Sequence, residues 1–385
     1  MRINRLKRKV AHLGASSRLL LPLWIASLGV TQGSWATQSQ EVAQPWTHYG
    51  ARPLAMGNAF VAVADDYNAL FYNPAGLARL QEWDGEFLNP RIEISKNTQD
   101  FLNDMGNLGS DSQSVLDLIE SNTGKNHHFA AGMTPHLVFP GFGFGIGAQF
   151  NGSLTFHRYP SAFVDAGLRL TIPISYAMSF MEDRLSVGAT LKTRVRGGVF
   201  HEFSIEDLQA LQDDSGDSSS GPKIDDFMEA GMGYGTDLGI LYTPMEPMKP
   251  TFGLSITDLG GTPYEKMALG STDPKSAPSR VLPAVNLGLS FRPIENDGSY
   301  LLATMDMHAI NQPYDFSKKL NFGLEYGIGS IIKLLSGLHQ GYLTAGVQVD
   351  VNWIVLRLAS YAVELGETAG SVEDRRYMFE LKLLF

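Results

Sequence analysis

The sequence has no cysteine, which excludes a disulfide framework and leaves stability to the fold itself. Beyond residue 36 it also lacks any long unbroken apolar run, so no helix is built to cross a bilayer, which takes about 20 such residues. Basic residues are scarce, 30 Lys+Arg against 40 Asp+Glu, for a net charge of −10. Six of those 30 (Arg2, Arg5, Lys7, Arg8, Lys9 and Arg18) fall in the first 36 residues, which hold no acid. The remainder therefore carries 24 against 40, or −16. Nothing in so acidic a chain neutralises phosphate, and a nucleic-acid partner is not expected. No HExxH, GxSxG or strand-to-helix GxGxxG is present, so neither an enzyme nor a cofactor is expected.

The chain opens on a basic cluster, then an apolar stretch from Leu19 to Val30, then Gly33-Ser34-Trp35-Ala36 with small residues. That order is the layout of a cleaved secretory signal, and the apolar stretch is too short to span a membrane. Cleavage after Ala36 is expected. The 40 glycines, 21 phenylalanines and 14 tyrosines favour sheet over helix in the rest of the chain.

From residue 82 onward the dominant pattern has period two. Leu185, Val187, Ala189 and Leu191 share one face. Leu343, Ala345, Val347 and Val349 share another, opposite Thr344, Gly346, Gln348 and Asp350. One apolar and one polar face, repeated many times, suit a strand with lipid outside and a filled lumen inside. Fourteen such segments run from 84–96 to 374–385. They predict an all-β fold, a 14-stranded antiparallel transmembrane β-barrel, with even parity that puts both ends at one rim.

Short connections such as Pro140-Gly141, Glu182-Asp183 and Ile328-Gly329 alternate with long polar ones at 97–126, 201–226 and 259–280. Outer-membrane barrels show the same asymmetry between periplasmic turns and outer loops. Two long loops have helical spacing, through Val115, Leu116, Leu118 and Ile119 and through Ile205, Leu208 and Leu211. With Phe101, Leu102 and Met105, these residues suit either an outer apolar groove or simple loop packing. The last strand alternates Tyr377, Phe379, Leu381, Leu383 and Phe385 on one face and resembles the signal read by the barrel-insertion machinery.

Residues 50–80 do not alternate. They are rich in small side chains, with Gly57, Asp65, Asp66 and then Asn73-Pro74-Ala75-Gly76. Small residues pack closely and Asn-Pro sets a turn, which suits a hatch in the lumen. On Gly50/Gly57, Ala64-Asp65-Asp66 and Asn73-Pro74-Ala75, together with Thr134-Pro-His-Leu-Val-Phe-Pro and Phe142-Gly-Phe-Gly-Ile-Gly, the chain resembles the FadL/OmpP-type family of outer-membrane transporters for hydrophobic compounds. The same residues also resemble PorV-like and TraF-like barrels of secretion and conjugation systems, which implies a structural or partner-binding role as the alternative.

With the signal peptide read at 1–36, the resemblance implies a periplasmic N-terminus with lumenal hatch at 37–82 and the barrel at 83–385. It also implies passive uptake of long-chain fatty acids or similar molecules across a bacterial outer membrane, whose lipid and lipopolysaccharide surround the barrel. In the FadL family a bent third strand opens a lateral exit, for which Gly143, Gly145 and Gly147 are the candidates; close packing of the hatch is the other reading. Lys192, Arg194 and Arg196 lie at period two on one face. They suit either a ligand carboxylate or an ion-pair network with inward acids such as Asp237, Asp306, Glu325 and Glu380. Asp65 and Asp66 are candidate hatch switches or turn caps.

Overall fold

The computed structural model describes residues 50–106, 112–157, 161–204, 207, 224–244, 248–270, 273–351 and 353–383. The expected signal peptide, the segment 37–49, the helical stretch around Leu208 and Leu211, and Phe385 lie outside them. The described chain forms one antiparallel sheet that closes on itself.

Its segments are β1 (Asp84–Glu86), β2 (Arg91–Ser95), β3 (Asn126–Met133), β4 (His136–Phe139), β5 (Phe142–Gly145) and β6 (Gly147–Phe156). Then come β7 (Ser161–Phe180), β8 (Leu185–Ser204), β9 (Met228–Tyr242), β10 (Thr251–Thr257), β11 (Glu265–Lys266) and β12 (Ala284–Asn296). The wall is completed by β13 (Ser299–Met307), β14 (Leu320–Ile328), β15 (Ile332–His339), β16 (Tyr342–Val351), β17 (Ile354–Glu364) and β18 (Glu373–Leu383). The pairs β1/β2, β3/β4 and β5/β6 are each one interrupted stave, and β11 resumes the stave of β10 against β9. Eighteen segments therefore make the fourteen staves expected. Closure is by β18 on β2, from Arg376↔Ser95 to Glu380↔Arg91.

The alternation alone predicts continuous strands at 84–96, 127–139 and 142–156. All three are broken at a common level, and proline is the reason. Pro90 and Pro135 stand at the first two breaks and Pro173 faces the third from β7. A residue without an N–H cannot complete a ladder on both sides. The gaps are bridged locally: Ile146 N donates to Pro135 O at 2.9 Å. Asn89 clamps the second break, accepting from Thr134 N at 2.6 Å and donating to Thr134 O at 2.7 Å.

Short turns crowd one rim, as the spacing predicts. The opposite rim is less uniform than expected, because β15 and β16 are joined there by Gln340 and Gly341 alone, both with positive φ. The long first loop folds as α3 (Thr98–Gly106) and α4 (Ser112–Asn122). Phe101 packs with Phe156 and Ala162, while Leu102 and Met105 stay exposed. Apolar side chains such as Phe252, Leu324, Tyr377 and Phe379 stand exposed on the outer face, while Thr190, Asp237, Asp306, Glu325 and Glu380 are buried on the inner one. This is the polarity of a transmembrane barrel.

Candidate functional site

Inside the wall, toward the short-turn rim, lies the non-alternating segment. It holds α1 (Ala51–Ala55), α2 (Ala69–Tyr72) and a 3-10 turn over Pro74–Arg79. Leu54, Met56, Phe60, Tyr67, Leu70, Tyr72 and Leu77 are all fully enclosed and form the main apolar core of the protein. Small residues recur here because the wall is close on every side. Gly57 has φ +64 and donates its N–H to Thr344 Oγ1 at 3.0 Å, while Thr344 Oγ1 donates to Ala55 O at 2.8 Å. At Gly76 a β-carbon would collide with Ala64 O.

The wall is hollowed to match. A β-carbon on Gly188 would stand 2.5 Å from Pro74, one on Gly337 2.5 Å from Gly57 N, and one on Gly346 2.5 Å from the Ala55 methyl. Gly143 and Gly145, the candidates for a lateral opening, belong to this set. Their missing side chains are replaced by Leu70, at 2.7 and 3.0 Å from the sites of the absent carbons. Gly147 is buried just past the break at Ile146. The plug thus leans its apolar Leu70 on the wall beside the interruption.

Polar contacts fix the plug's register. Asp306 Oδ2 accepts from Phe60 N at 2.6 Å and Val61 N at 2.7 Å. Asn73 Nδ2 donates to Val61 O at 2.8 Å and also reaches Ile240 O and Leu254 O on the wall. Asn73 Oδ1 caps Ala75 N at 3.2 Å, so Asn-Pro-Ala is a clamp between plug and wall. Arg52 is a hub: Nε donates to Glu325 Oε2 at 2.7 Å, and Nη1 to Asp65 at 2.6 Å and Asp66 at 2.9 Å. Burial pushes the Asp65 pKa up, but the Arg52 guanidinium, aided by Lys333 and Arg292, outweighs it and holds the group below the usual carboxylate range. Asp66 adds a turn cap, accepting from Asn68 N at 2.9 Å.

The three cations of β8 divide. Lys192 lies 2.6 Å from Asp237 and 3.2 Å from Asp258, and Arg194 Nη2 donates to Asp258 Oδ2 at 2.9 Å. Asp258 stands just past β10, at the start of the connection to β11, so both cations pin that connection. Arg194 keeps its Nε and Nη1 without a hydrogen bond among the described residues, although the side chain is buried. Arg196 stands across from Arg169, beside Phe200, in a shallow surface recess that Asn151 and Asp165 also line. Asp237 is among the counter-charges that the sequence pattern points to. Asp258 is not, because its partners lie 66 and 64 residues away.

Two further clusters are not legible in the sequence. His128 lies between Ser153 Oγ at 2.7 Å and Glu93 Oε1 at 2.9 Å, and Arg376 Nη1 donates to that same Glu93 oxygen at 3.1 Å. All four side chains are buried, knitting β2, β3, β6 and β18 across the closing seam. The other cluster, Asp84, Glu86, His136 and Lys382, sits at the short-turn rim. Tyr377 and Phe379 of the last strand face outward, with Leu381 and Leu383 on the same face.

No protein-family model matches the sequence, and no curated protein matches it either. Solved structures do. The chain is similar to the CymD monoaromatic hydrocarbon channel, with a TM-score of 0.52 at 14% identity, covering 87% of this chain and 97% of that one. It is similar to the Pseudomonas putida toluene transporter TodX, with a TM-score of 0.53 at 12% identity, over 88% and 98%. It is similar to the Ralstonia pickettii toluene transporter TbuX, with a TM-score of 0.51 at 15% identity, over 88% and 98%. At these identities the likeness establishes the fold alone, a closed antiparallel β-barrel, in agreement with the fourteen staves that the sequence pattern predicts.

Proposed function

We propose that the protein is a passive channel of the bacterial outer membrane for hydrophobic small molecules, long-chain fatty acids among them. The observation that carries the reading is the juxtaposition of an apolar plug with a band of wall interruptions. The first three staves are interrupted at one level, at Pro90, Pro135 and Ile146, with Pro173 of the unbroken fourth stave facing the third gap, and Leu70 of the plug backs that level at Gly143 and Gly145. A ligand that displaces Leu70 meets a wall with few hydrogen bonds to part and passes sideways into lipid without crossing water. In this reading ligand lands among the outer loops, the plug around Asn73-Pro74-Ala75 shifts, and no energy source is used. The free edge of Arg194 is the donor for a cargo carboxylate, by charge-assisted hydrogen bonding. The face carrying Tyr377, Phe379, Leu381, Leu383 and Phe385 is what the insertion machinery reads. Residues 1–36 direct export and are removed by cleavage after Ala36.

Uptake of labelled oleate and labelled toluene into liposomes bearing the purified chain tests this. Wild type is expected to admit both. Gly145→Val, which presses a branched side chain into Leu70 and the break, is expected to slow both about tenfold while the barrel still migrates as a folded species on unheated gels. Absence of uptake by wild type, with a periplasmic or surface protein co-purifying, refutes transport and supports the partner-binding alternative.

A further inference from the structure

At the short-turn rim the first, second and last staves converge. β1 places Asp84 and Glu86 on one face, β4 sets His136 directly opposite Glu86, and β18 brings Lys382. His136 Nε2 lies 3.3 Å from Glu86 Oε1 and 3.5 Å from Asp84 Oδ2. The Glu86 and His136 side chains are wholly buried, whereas Asp84 is 30% exposed and opens the cluster to water.

The imidazole is held from three directions. Its Nδ1 is 2.8 Å from Thr134 O and donates there, which directs Nε2 at the carboxylates. Its ring stacks on Tyr67 of the plug at 4.2 Å and 10°. Nε2 itself makes no hydrogen bond among the described residues despite its burial. Glu86 is held likewise, with Oε2 accepting from Asn89 Nδ2 at 3.1 Å and Oε1 turned into the cluster. A backbone carbonyl on the far ring nitrogen and an amide on the far carboxylate oxygen are the outer supports that ligand sets carry.

The spacing fits a cation. A tetrahedral ion with bonds of about 2.0–2.1 Å sets its ligands about 3.3–3.4 Å apart, which matches the His136–Glu86 and His136–Asp84 distances. One imidazole with two carboxylates suits zinc, whereas calcium and magnesium favour oxygen alone. Lys382 supplies the positive charge otherwise, with Nζ 2.9 Å from both Asp84 oxygens and also against Glu86.

We propose that Asp84, Glu86 and His136 bind a divalent transition-metal ion of the zinc class, which takes the place of the Lys382 ammonium. The bound ion ties the closing seam of the barrel to the plug through the His136–Tyr67 stack. The site is independent of what the channel carries.

The test is titration of Zn²⁺ into the metal-stripped, folded full chain in detergent, by calorimetry and by thermal unfolding, with Mg²⁺ and Ca²⁺ in parallel and Co²⁺ absorption as a readout of tetrahedral geometry. One zinc per barrel, a rise of several degrees in unfolding temperature and no response to Mg²⁺ or Ca²⁺ are expected. Lys382→Met keeps the buried stem, removes the competitor and should bind zinc at least tenfold tighter. His136→Gln and Glu86→Gln should each bind at least tenfold more weakly. No stoichiometric zinc in either wild type or Lys382→Met overturns the proposal, as does zinc binding that both weakening substitutions leave unchanged. Should His136→Gln not fold, Glu86→Gln and Lys382→Met decide it alone.

Discussion

Arg52 concentrates at one side chain what holds the plug in place. It faces Glu325, Asp65 and Asp66 while only 4% exposed, and removing one member of a buried charge set costs about 3–5 kcal/mol because the others are left uncompensated. Arg52→Ala is therefore expected to lower stability to denaturant by that amount and to admit small polar solutes that wild type excludes. The same hub sets a pH dependence. Asp65 titrates lower in the folded protein than in the unfolded chain, where its pKa is about 4. Its contribution is thus full above about pH 4 and fades as pH falls through the folded value. Unfolding temperatures of wild type should change little between about pH 7 and 5 and drop below 4, and the drop should shrink in Arg52→Ala. An equal drop in the variant contradicts the assignment to this pair. Of the hub, Asp65, Asp66 and the inward Glu325 are legible in the sequence, but Arg52 as their common partner is not, because Arg52 and Glu325 meet across 273 residues.

At the scale of elements, legibility follows periodicity. Staves such as β7, β8 and β16 are readable because lipid on one side and plug on the other impose strict alternation. The breaks in the first three staves are hidden by the same alternation, which continues through Asn89-Pro90 and Thr134-Pro135 although the ladder cannot. The small-residue run 50–80 announces a packed insert, yet its seats are invisible: Gly188, Gly337 and Gly346 read as ordinary strand glycines until Pro74, Gly57 and Ala55 are seen against them. The plug also fills most of the inner face at its level, so deleting residues 45–80 should raise nonspecific conductance in planar bilayers by at least tenfold. An unchanged conductance would falsify the assignment of this segment as the barrier.

For the whole molecule, fourteen staves closed by β18 on β2 leave no open edge among the described residues, which protects the wall from edge-to-edge aggregation. Stability without disulfides rests on this closure and on the inner polar networks. The Glu93–His128–Arg376 set and the Asp84–Glu86–His136–Lys382 set both lie along the closing seam, near its two ends, where the chain's first and last staves meet.

The hollows in the wall carry a consequence for chronology. Gly337 and Gly346 lie on β15 and β16, among the last parts of the chain to be made, yet they grip Gly57 and Ala55 from its beginning with no clearance for a β-carbon. A segment held so tightly, on all sides, has no route into a finished cylinder. The plug must wait, already roughly shaped, while the staves are laid around it, and the joining of β18 to β2 is the act that locks it in. In a refolding time course, protection of the 51–77 stretch from protease should arise no later than the heat-resistant gel form. Protection that lags behind that form would mean the cylinder closes empty and is filled afterwards.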